Sequence, residues 1–439
     1  MYPLVRNPCI RWSLEIRCLF LLALCAFLMF AWAKRTHGKC CNAFRLQAQR
    51  IALSYCGLIV NRAGNQSFLK AHNRDSLLRL LYTHPGVSRA ELARLSSLTK
   101  MTVGALVSDS IAAGWIREGG ASKGASGRPG WSLELNPDLL CAIGAEIGVK
   151  ELRVVACNVL GGVIADRHIS NLGFDDPLEV CQHLALEVAA LLGQPEMKGR
   201  RVLGMGVSVP GPVLDGVLHF APNLGWSQIW VLELLRPLLP ATLNLQPLRL
   251  ENEANAAALG AYFFRVGAKP RSVVYLSLGV GVGCGIVIEG QVFRGADGYA
   301  GEVGHTVLHP PSGRVEDYVS QRALAERLNL DVATEIDALL LRASSQPAAV
   351  AAFANELGLV LANLIGTFSP DELLIGGPLS RLGQALLEPA QMAMRSSCNW
   401  RSFAGIEVRL SARPSSAAAI GAAANVLHEL LGGSRVAVG

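Results

Sequence analysis

The apolar positions between residues 73 and 135 change period three times, and each change predicts a new element. In 73–84 the leucines at 77, 78, 80 and 81 share one helical face, and Pro85-Gly86 stops that helix. Ser88 followed by Glu91 has capping-box spacing, so a short second helix over 89–95 is expected, with Ser96-Ser97-Leu98 as its turn. Thr99 then caps a third helix. Its Val103, Leu106, Val107 and Ile111 fall at i, i+3, i+4 and i+8 and bury one face, which turns Met101, Thr102, Ala105 and Ser108 outward. Gly104 costs that helix about 1 kcal/mol relative to Ala, and a close backbone approach is the expected reason for it. Beyond Gly114-Trp115-Ile116 comes a Gly/Ser/Lys/Arg-rich stretch at 121–130. Strand alternation then resumes at Trp131 to Leu135, which makes a hairpin wing. From Cys141 onward, short apolar strands alternate with helices across glycine-rich turns, the pattern of an α/β domain.

The expected division is 1–59, 60–137 for the three helices and wing, 138–262 for a first α/β lobe and 263–439 for a second. The opening segment is unlike the rest. Residues 18–33 form an uninterrupted apolar run flanked by Arg17, Lys34 and Arg35, shorter than the roughly 20 residues a span requires. A signal peptide fits poorly, because the small-residue cleavage pattern is weak and secretion would strand the helical module outside the cell. A signal anchor is a further reading. The favoured one is upstream sequence read from a wrongly assigned start, with the working chain beginning near Val60. It rests on the odd cysteine and tryptophan usage of 1–59 and the abrupt onset of patterned sequence at Asn65.

Charge sharpens this picture. The 439 residues are 51% apolar and 17% charged, which excludes wholesale disorder. The net +6 is unevenly spread: residues 1–137 hold 18 Lys and Arg against 6 Asp and Glu, and 138–439 hold 22 against 28. Residues 60–137 alone carry 10 basic and 5 acidic side chains, the balance of a module that meets phosphates. A merely solvated basic face is the bland alternative. Six of the eleven cysteines crowd into the first 60 residues. Cys141, Cys157, Cys181, Cys284 and Cys398 are scattered singly, without zinc or redox spacing, as reduced thiols of a cytoplasmic protein would be.

Three helices with a wing form a DNA-reading unit when the third helix enters a major groove with small or adaptable side chains at its N-terminal turn. The candidate readers are the outward-facing Met101, Thr102, Ala105 and Ser108, and Thr99 at the helix start is a further DNA-contact candidate. Lys100 and Arg89 are placed for phosphates, and Arg128 at the wing tip for a narrow minor groove.

Five stretches of the body carry its chemistry: Glu146-Ile-Gly148-Val149-Lys150; Pro210-Gly211-Pro212 with Asn223-Leu-Gly225-Trp226; Glu251-Asn252-Glu253-Ala-Asn255; Gly279-Val280-Gly281-Val-Gly283; and Gly301-Glu302-Val-Gly304-His305, followed by Glu316. Together with the front module they resemble the ROK family of repressors, open reading frames and sugar kinases, over residues 65–432. The resemblance implies an α/β fold class: an N-terminal winged helix-turn-helix followed by two actin/hexokinase-like (ribonuclease H-like) lobes with a sugar and nucleotide cleft between them.

By that resemblance Asn223, Asn252, Glu253, Glu302, His305 and Glu316 are sugar-binding candidates. The family's kinases hold ATP phosphates on an Asp-x-Gly-Gly-Thr turn and a second glycine-rich turn. Here Glu146, Gly148 and Val149 stand in the first, and Gly279, Val280 and Gly281 in the second, where Val280 replaces a usual Thr. A β-branched residue obstructs the close approach of bare amides to phosphate oxygens, so both turns read as degenerate. Glu253 occupies the place of the kinases' catalytic Asp, and a carboxylate displaced by one methylene serves binding better than in-line transfer. The cysteines that hold the family's structural zinc with His305 are absent, so neither zinc nor another cofactor is expected.

The resemblance therefore implies a cytoplasmic, sugar-responsive DNA-binding regulator, with no catalytic residue. Its partners are a double-stranded operator, a sugar effector and a second copy of the chain, as a homodimer or dimer of dimers, with membrane association unexpected. The enzyme alternative is an ATP-dependent ROK sugar kinase with an accessory DNA-binding module.

Overall fold

The computed structural model describes residues 66–121, 131–149, 151–170, 173, 175–244, 246–267, 269–398 and 406–432. The expectations placed on 1–59 and on Arg128 fall outside these residues, as does Lys150 at the end of the first quoted stretch.

The helical module forms with its caps. Helix α1 (Gln66–Thr83) starts before the expected Asn73 and buries Leu77, Leu78 and Leu81. Helix α2 (Arg89–Ser96) is capped by Ser88, whose Oγ accepts from the Glu91 amide at 3.3 Å, while the Glu91 carboxylate pairs with Arg94. In α3 (Lys100–Ala112), Thr99 is the N-cap and accepts from the Thr102 amide at 3.1 Å. Its buried face holds Val103, Leu106, Val107 and Ser110, with Ile111 only half-buried. Ser110 can be buried because its hydroxyl donates to the Leu106 carbonyl at 2.7 Å, inside the same helix. Gly104 faces open space, with nothing within 4 Å of an added Cβ, so close approach is not its reason. Strands β1 (Ile116–Ala121) and β2 (Trp131–Leu135) pair antiparallel as the wing, Ile116 opposite Leu135.

The body repeats one topology. In the first lobe, β3 (Leu140–Ile147), β4 (Glu151–Asn158) and β5 (Val163–Ser170) run antiparallel. Then β6 (Arg201–Val209) joins β3 in parallel and β7 (Leu248–Asn252) joins β6, for a sheet order β7-β6-β3-β4-β5. The second lobe follows the same plan with β8 (Ser272–Leu278), β9 (Val282–Ile288), β10 (Gln291–Val292), β11 (Glu372–Gly376) and β12 (Glu407–Leu410), in order β10-β9-β8-β11-β12. Helix α4 (Pro177–Leu192) covers the first sheet. Helix Pro347–Phe368 is apolar and long enough to cross a membrane, yet it places Phe353, Leu357, Leu361 and Ile365 in the second lobe's core.

Two further helices lie between the sheets: α5 (Glu253–Phe263), which continues directly from β7, and the later helix Ala417–Leu427. They approach so closely that a Cβ on Gly421 would collide with the Ala256 carbonyl, and one on Gly285 of β9 with the Ala254 carbonyl. Helix α5 is thus seated against a helix on one side and a sheet on the other, with no side chain between to yield.

The module, the first lobe's sheet, the end of α5 and the later helix Ala417–Leu427 share one apolar cluster. Leu77, Leu81, Leu92, Val103 and Leu133 belong to the same contiguous core as Leu140, Val155, Phe263, Ala419 and Leu427. Arg201 of the lobe lies 4.7 Å over the Trp115 ring, and Asn136 donates to the Gly114 carbonyl at 3.0 Å. The five cysteines of the body are free. Four are buried, and burial pushes Cys157, Cys181 and Cys284 up to about 12.

Candidate functional site

The site grows from the β7–α5 junction. Asn252 ends the strand in extended geometry and caps the helix: its Oδ1 accepts from the Ala254 amide at 2.9 Å and the Asn255 amide at 3.1 Å. Its Nδ2 donates to the Gly211 carbonyl at 3.0 Å, at the Pro-Gly turn. The oxygen and one amide hydrogen of this sugar candidate are therefore spent on structure. Glu253 is the first helical residue, where a carboxylate suits the helix dipole.

Glu302 heads the tight turn Val303–His305, and Glu316 lies on the short helix Val315–Val319. His305, with a half-exposed side chain, stands between them, Nε2 3.7 Å from Glu302 and Nδ1 3.4 Å from Glu316. Glu253 and Glu316 flank the second glycine-rich turn: a Cβ on Gly283 would lie 4.0 Å from the Glu253 carboxylate, and one on Gly281 4.0 Å from that of Glu316. Within that turn the Gly279 amide donates to the Gly281 carbonyl at 3.0 Å, and Val280 is exposed.

These carboxylates raise one another's pKa. Burial, reinforced by Glu302 and Glu151, pushes Glu253 up to about 7. Burial with repulsion from Glu151 and Glu253 pushes Glu146, at the end of β3, up to about 8. Glu302 is also raised, by burial against the opposing pull of His305 and with added repulsion from Glu316. Near neutral pH Glu146 is mostly protonated and Glu253 partly so, and those two can donate as well as accept hydrogen bonds, which suits hydroxyls better than anions. At the first turn the Gly148 amide donates to the Glu151 carbonyl at 2.9 Å, and Val149 is half-buried beside it.

Glu253, Glu302, His305 and Glu316 are thus brought together. Asn223 stands apart: it is exposed and lines an open cavity of about 590 Å³ with Asp175, Trp226 and Ser227 of the first lobe. The described residues include no group of three His, Cys, Asp or Glu placed to hold a metal ion. Sequence reasoning missed Arg294, which forms an ion pair with the buried Glu251 one residue before the Asn252 cap. It also missed Glu151. The only signal for the pair was a charged residue on a strand otherwise patterned for burial.

On the module, Lys100, Met101 and Ala105 are exposed, Met101 at 86%, and Thr102 is half-buried with its hydroxyl 2.8 Å from that of Thr99. Arg89 has protein partners rather than an open guanidinium, bonding Glu118 of the wing at 2.9 Å and Ser108 at 3.2 Å.

The sequence profile of the ROK family matches residues 142–429. A protein of Caldicellulosiruptor sp. (strain Rt8B.4), provisionally named a xylose repressor, is 31% identical over 84% of this chain and 98% of its own. The xylose repressor of Caldicellulosiruptor bescii is 28% identical over the same shares. Among solved structures, a ROK family transcriptional regulator homologous to the E. coli MLC protein superposes with a TM-score of 0.66. It is 20% identical and covers 83% of this chain and 98% of that one, a likeness of fold that includes the front module. The chain belongs to the ROK family.

Proposed function

We propose that the chain is a sugar-responsive transcriptional repressor, that D-xylose or a closely similar pentose is its effector, and that it does not transfer phosphate. The carrying observation is the union of two parts through one core: a capped three-helix module with an exposed helix face, and a two-lobed body that brings Glu253, Glu302, His305 and Glu316 together. Relatives named as xylose repressors, matched over nearly their whole length, support the repressor reading and suggest the pentose.

Met101, Thr102 and Ala105 read the operator from the N-terminal half of α3, Lys100 meets its phosphates, and Thr99 fixes the helix start. The carboxyl groups of Glu253, Glu302 and Glu316 exchange hydrogen bonds with sugar hydroxyls, and His305 stands between Glu302 and Glu316. The same groups oppose the kinase alternative. A phosphate needs bare amides and positive charge, whereas Val149 and Val280 stand at the two turns and Glu146, Glu151 and Glu253 crowd nearby. A base already at about 7 is no obstacle to proton abstraction, so the argument against catalysis rests on the turns. The protein works in the cytoplasm, as a metal-free homodimer whose two modules meet two half-sites.

Fluorescence anisotropy tests this reading. Fragments from the gene's own neighbourhood are titrated with protein at fixed salt, with and without D-xylose, D-glucose and D-ribose. Selective binding released by D-xylose is expected. Selective binding released by another sugar corrects the effector alone. Absence of selective binding, with ATP-dependent phosphorylation of a sugar, would replace the repressor by a kinase.

A further inference from the structure

Helix α5 has Glu253 at its first residue and Phe263 at its last, and its 11 residues span roughly 16 Å. What lies at the far end is the DNA module. Tyr82 of α1 stacks on Phe263 with ring centroids 4.5 Å apart and planes 14° from parallel. The Tyr82 hydroxyl donates to the Phe263 carbonyl at 2.5 Å. Lys269 donates to that same carbonyl at 3.1 Å and to the Tyr82 hydroxyl oxygen at 3.3 Å, and its ammonium lies 4.8 Å from the Tyr82 ring centroid and 5.1 Å from that of Phe263. His428 meets Phe263 edge-on at 5.9 Å.

The last carbonyls of a helix lack intrahelical donors and must find others. Here the DNA module supplies one of them, across 181 residues of sequence. Tyr82 therefore acts as a cap for the helix that begins in the cleft. Because α5 is wedged by Gly285 and Gly421 against a sheet and a helix, a displacement of Glu253 along the helix axis has little slack to absorb it before Phe263.

We propose that the Tyr82–Phe263 contact, held by Lys269, is the coupling element of this repressor: α5 carries the occupancy of the cleft at Glu253 to the first helix of the DNA module. The proposal rests on the sugar-responsive reading above. Tyr82 touches neither operator nor sugar. It is a positioning residue whose loss separates two affinities that wild-type protein links.

The test uses the full chain and three readouts: operator affinity by anisotropy, D-xylose affinity by calorimetry without DNA, and the factor by which saturating D-xylose weakens operator binding. Tyr82→Phe removes only the hydroxyl, and Tyr82→Leu removes the ring as well. Both are expected to hold operator and sugar affinities within about threefold of wild type. The release factor should fall severalfold in Tyr82→Phe and at least tenfold in Tyr82→Leu. Should Tyr82→Leu fold poorly, Tyr82→Phe with Lys269→Met carries the same comparison.

Unchanged release in folded variants would overturn the coupling role while leaving the repressor reading intact. Loss of operator binding by Tyr82→Phe without any sugar would also overturn it, since the contact would then merely support the module. Wild-type protein that binds an operator but releases it for no sugar would remove the sugar-responsive reading, and the coupling with it.

Discussion

Arg294 of the second lobe pairs with Glu251 of the first, and this carboxylate is nearly inaccessible, at 2% side-chain exposure. Glu251 also accepts from the Asn252 amide at 3.1 Å and from Asn255 Nδ2 at 3.4 Å, so one buried group ties the segment that follows β10 in one lobe to the helix start of the other. Removal of the arginine strands a charge without its counter-ion. Arg294→Ala is expected to lose about 3 kcal/mol in urea denaturation, the low end for a broken buried pair because the guanidinium itself is partly in water. Glu251→Gln added to it should recover part of that loss by neutralising the stranded charge. A single variant as stable as wild type would show that the lobes are joined by other means.

The crowded carboxylates give stability a direction with pH. Glu253 and Glu146 stand at about 7 and about 8 in the folded chain, against an ordinary value of 4.5. A raised folded pKa means that the folded state holds the proton more tightly. Its contribution is therefore complete below about pH 4.5 and is lost as pH climbs through 7 to 8. Glu253→Gln should melt close to wild type at pH 5.5 and several degrees above it at pH 8.5, with repulsion on Glu146 relieved at the same time. Equal melting shifts at both pH values would show the Glu253 carboxylate to be well solvated.

The parts legible from sequence are those governed by neighbours along the chain. Ser88 and Thr99 cap because their oxygens reach amides three residues on, and the spacing of Val103, Leu106 and Val107 already fixes which face of α3 is buried. Ser110 was passed over for Ile111 because its burial depends on a hydroxyl turning back to Leu106. Arg89 read as a phosphate contact because its partner Glu118 lies 29 positions away. The cleft divided the same way. The family motifs pointed to Glu253, Glu302, His305 and Glu316, but not to Arg294, Glu151 or the spending of Asn252 on a helix cap, which depend on two lobes meeting. The two lobes were legible through the family resemblance, but alternation alone marks strands and leaves their order within each sheet open.

Gly104 has a use that its empty surroundings define. It lies on the flank of α3 between the buried Val103 and the exposed Ala105, with open space where a side chain would be. Gly104→Ala should therefore stabilise the module by up to about 1 kcal/mol through helix propensity. If the glycine leaves room for DNA, the added methyl weakens operator binding in the same protein. Chemical denaturation and operator anisotropy on one sample read both effects. Greater stability with unchanged operator affinity would place DNA away from this flank.

Reading and sensing should come apart in a pair of variants. Thr102 sits in the first turn of α3, its amide held by Thr99, beside the exposed Lys100 and Met101. Thr102→Lys puts a long cation where a close base-edge contact requires a short side chain, and it should lower selective operator affinity at least tenfold. The same protein should bind D-xylose as wild type does, because the change lies in the module. His305→Ala acts in reverse: without the ring between Glu302 and Glu316 the two carboxylates repel across an emptied space, so sugar affinity should fall at least tenfold while operator binding stays. Operator titrations and sugar calorimetry on both proteins form a closed set of four measurements. If Thr102→Lys retains selective operator affinity, α3 does not read the bases; if His305→Ala keeps its sugar affinity, the ligand lies elsewhere than at the Glu302–Glu316 pair.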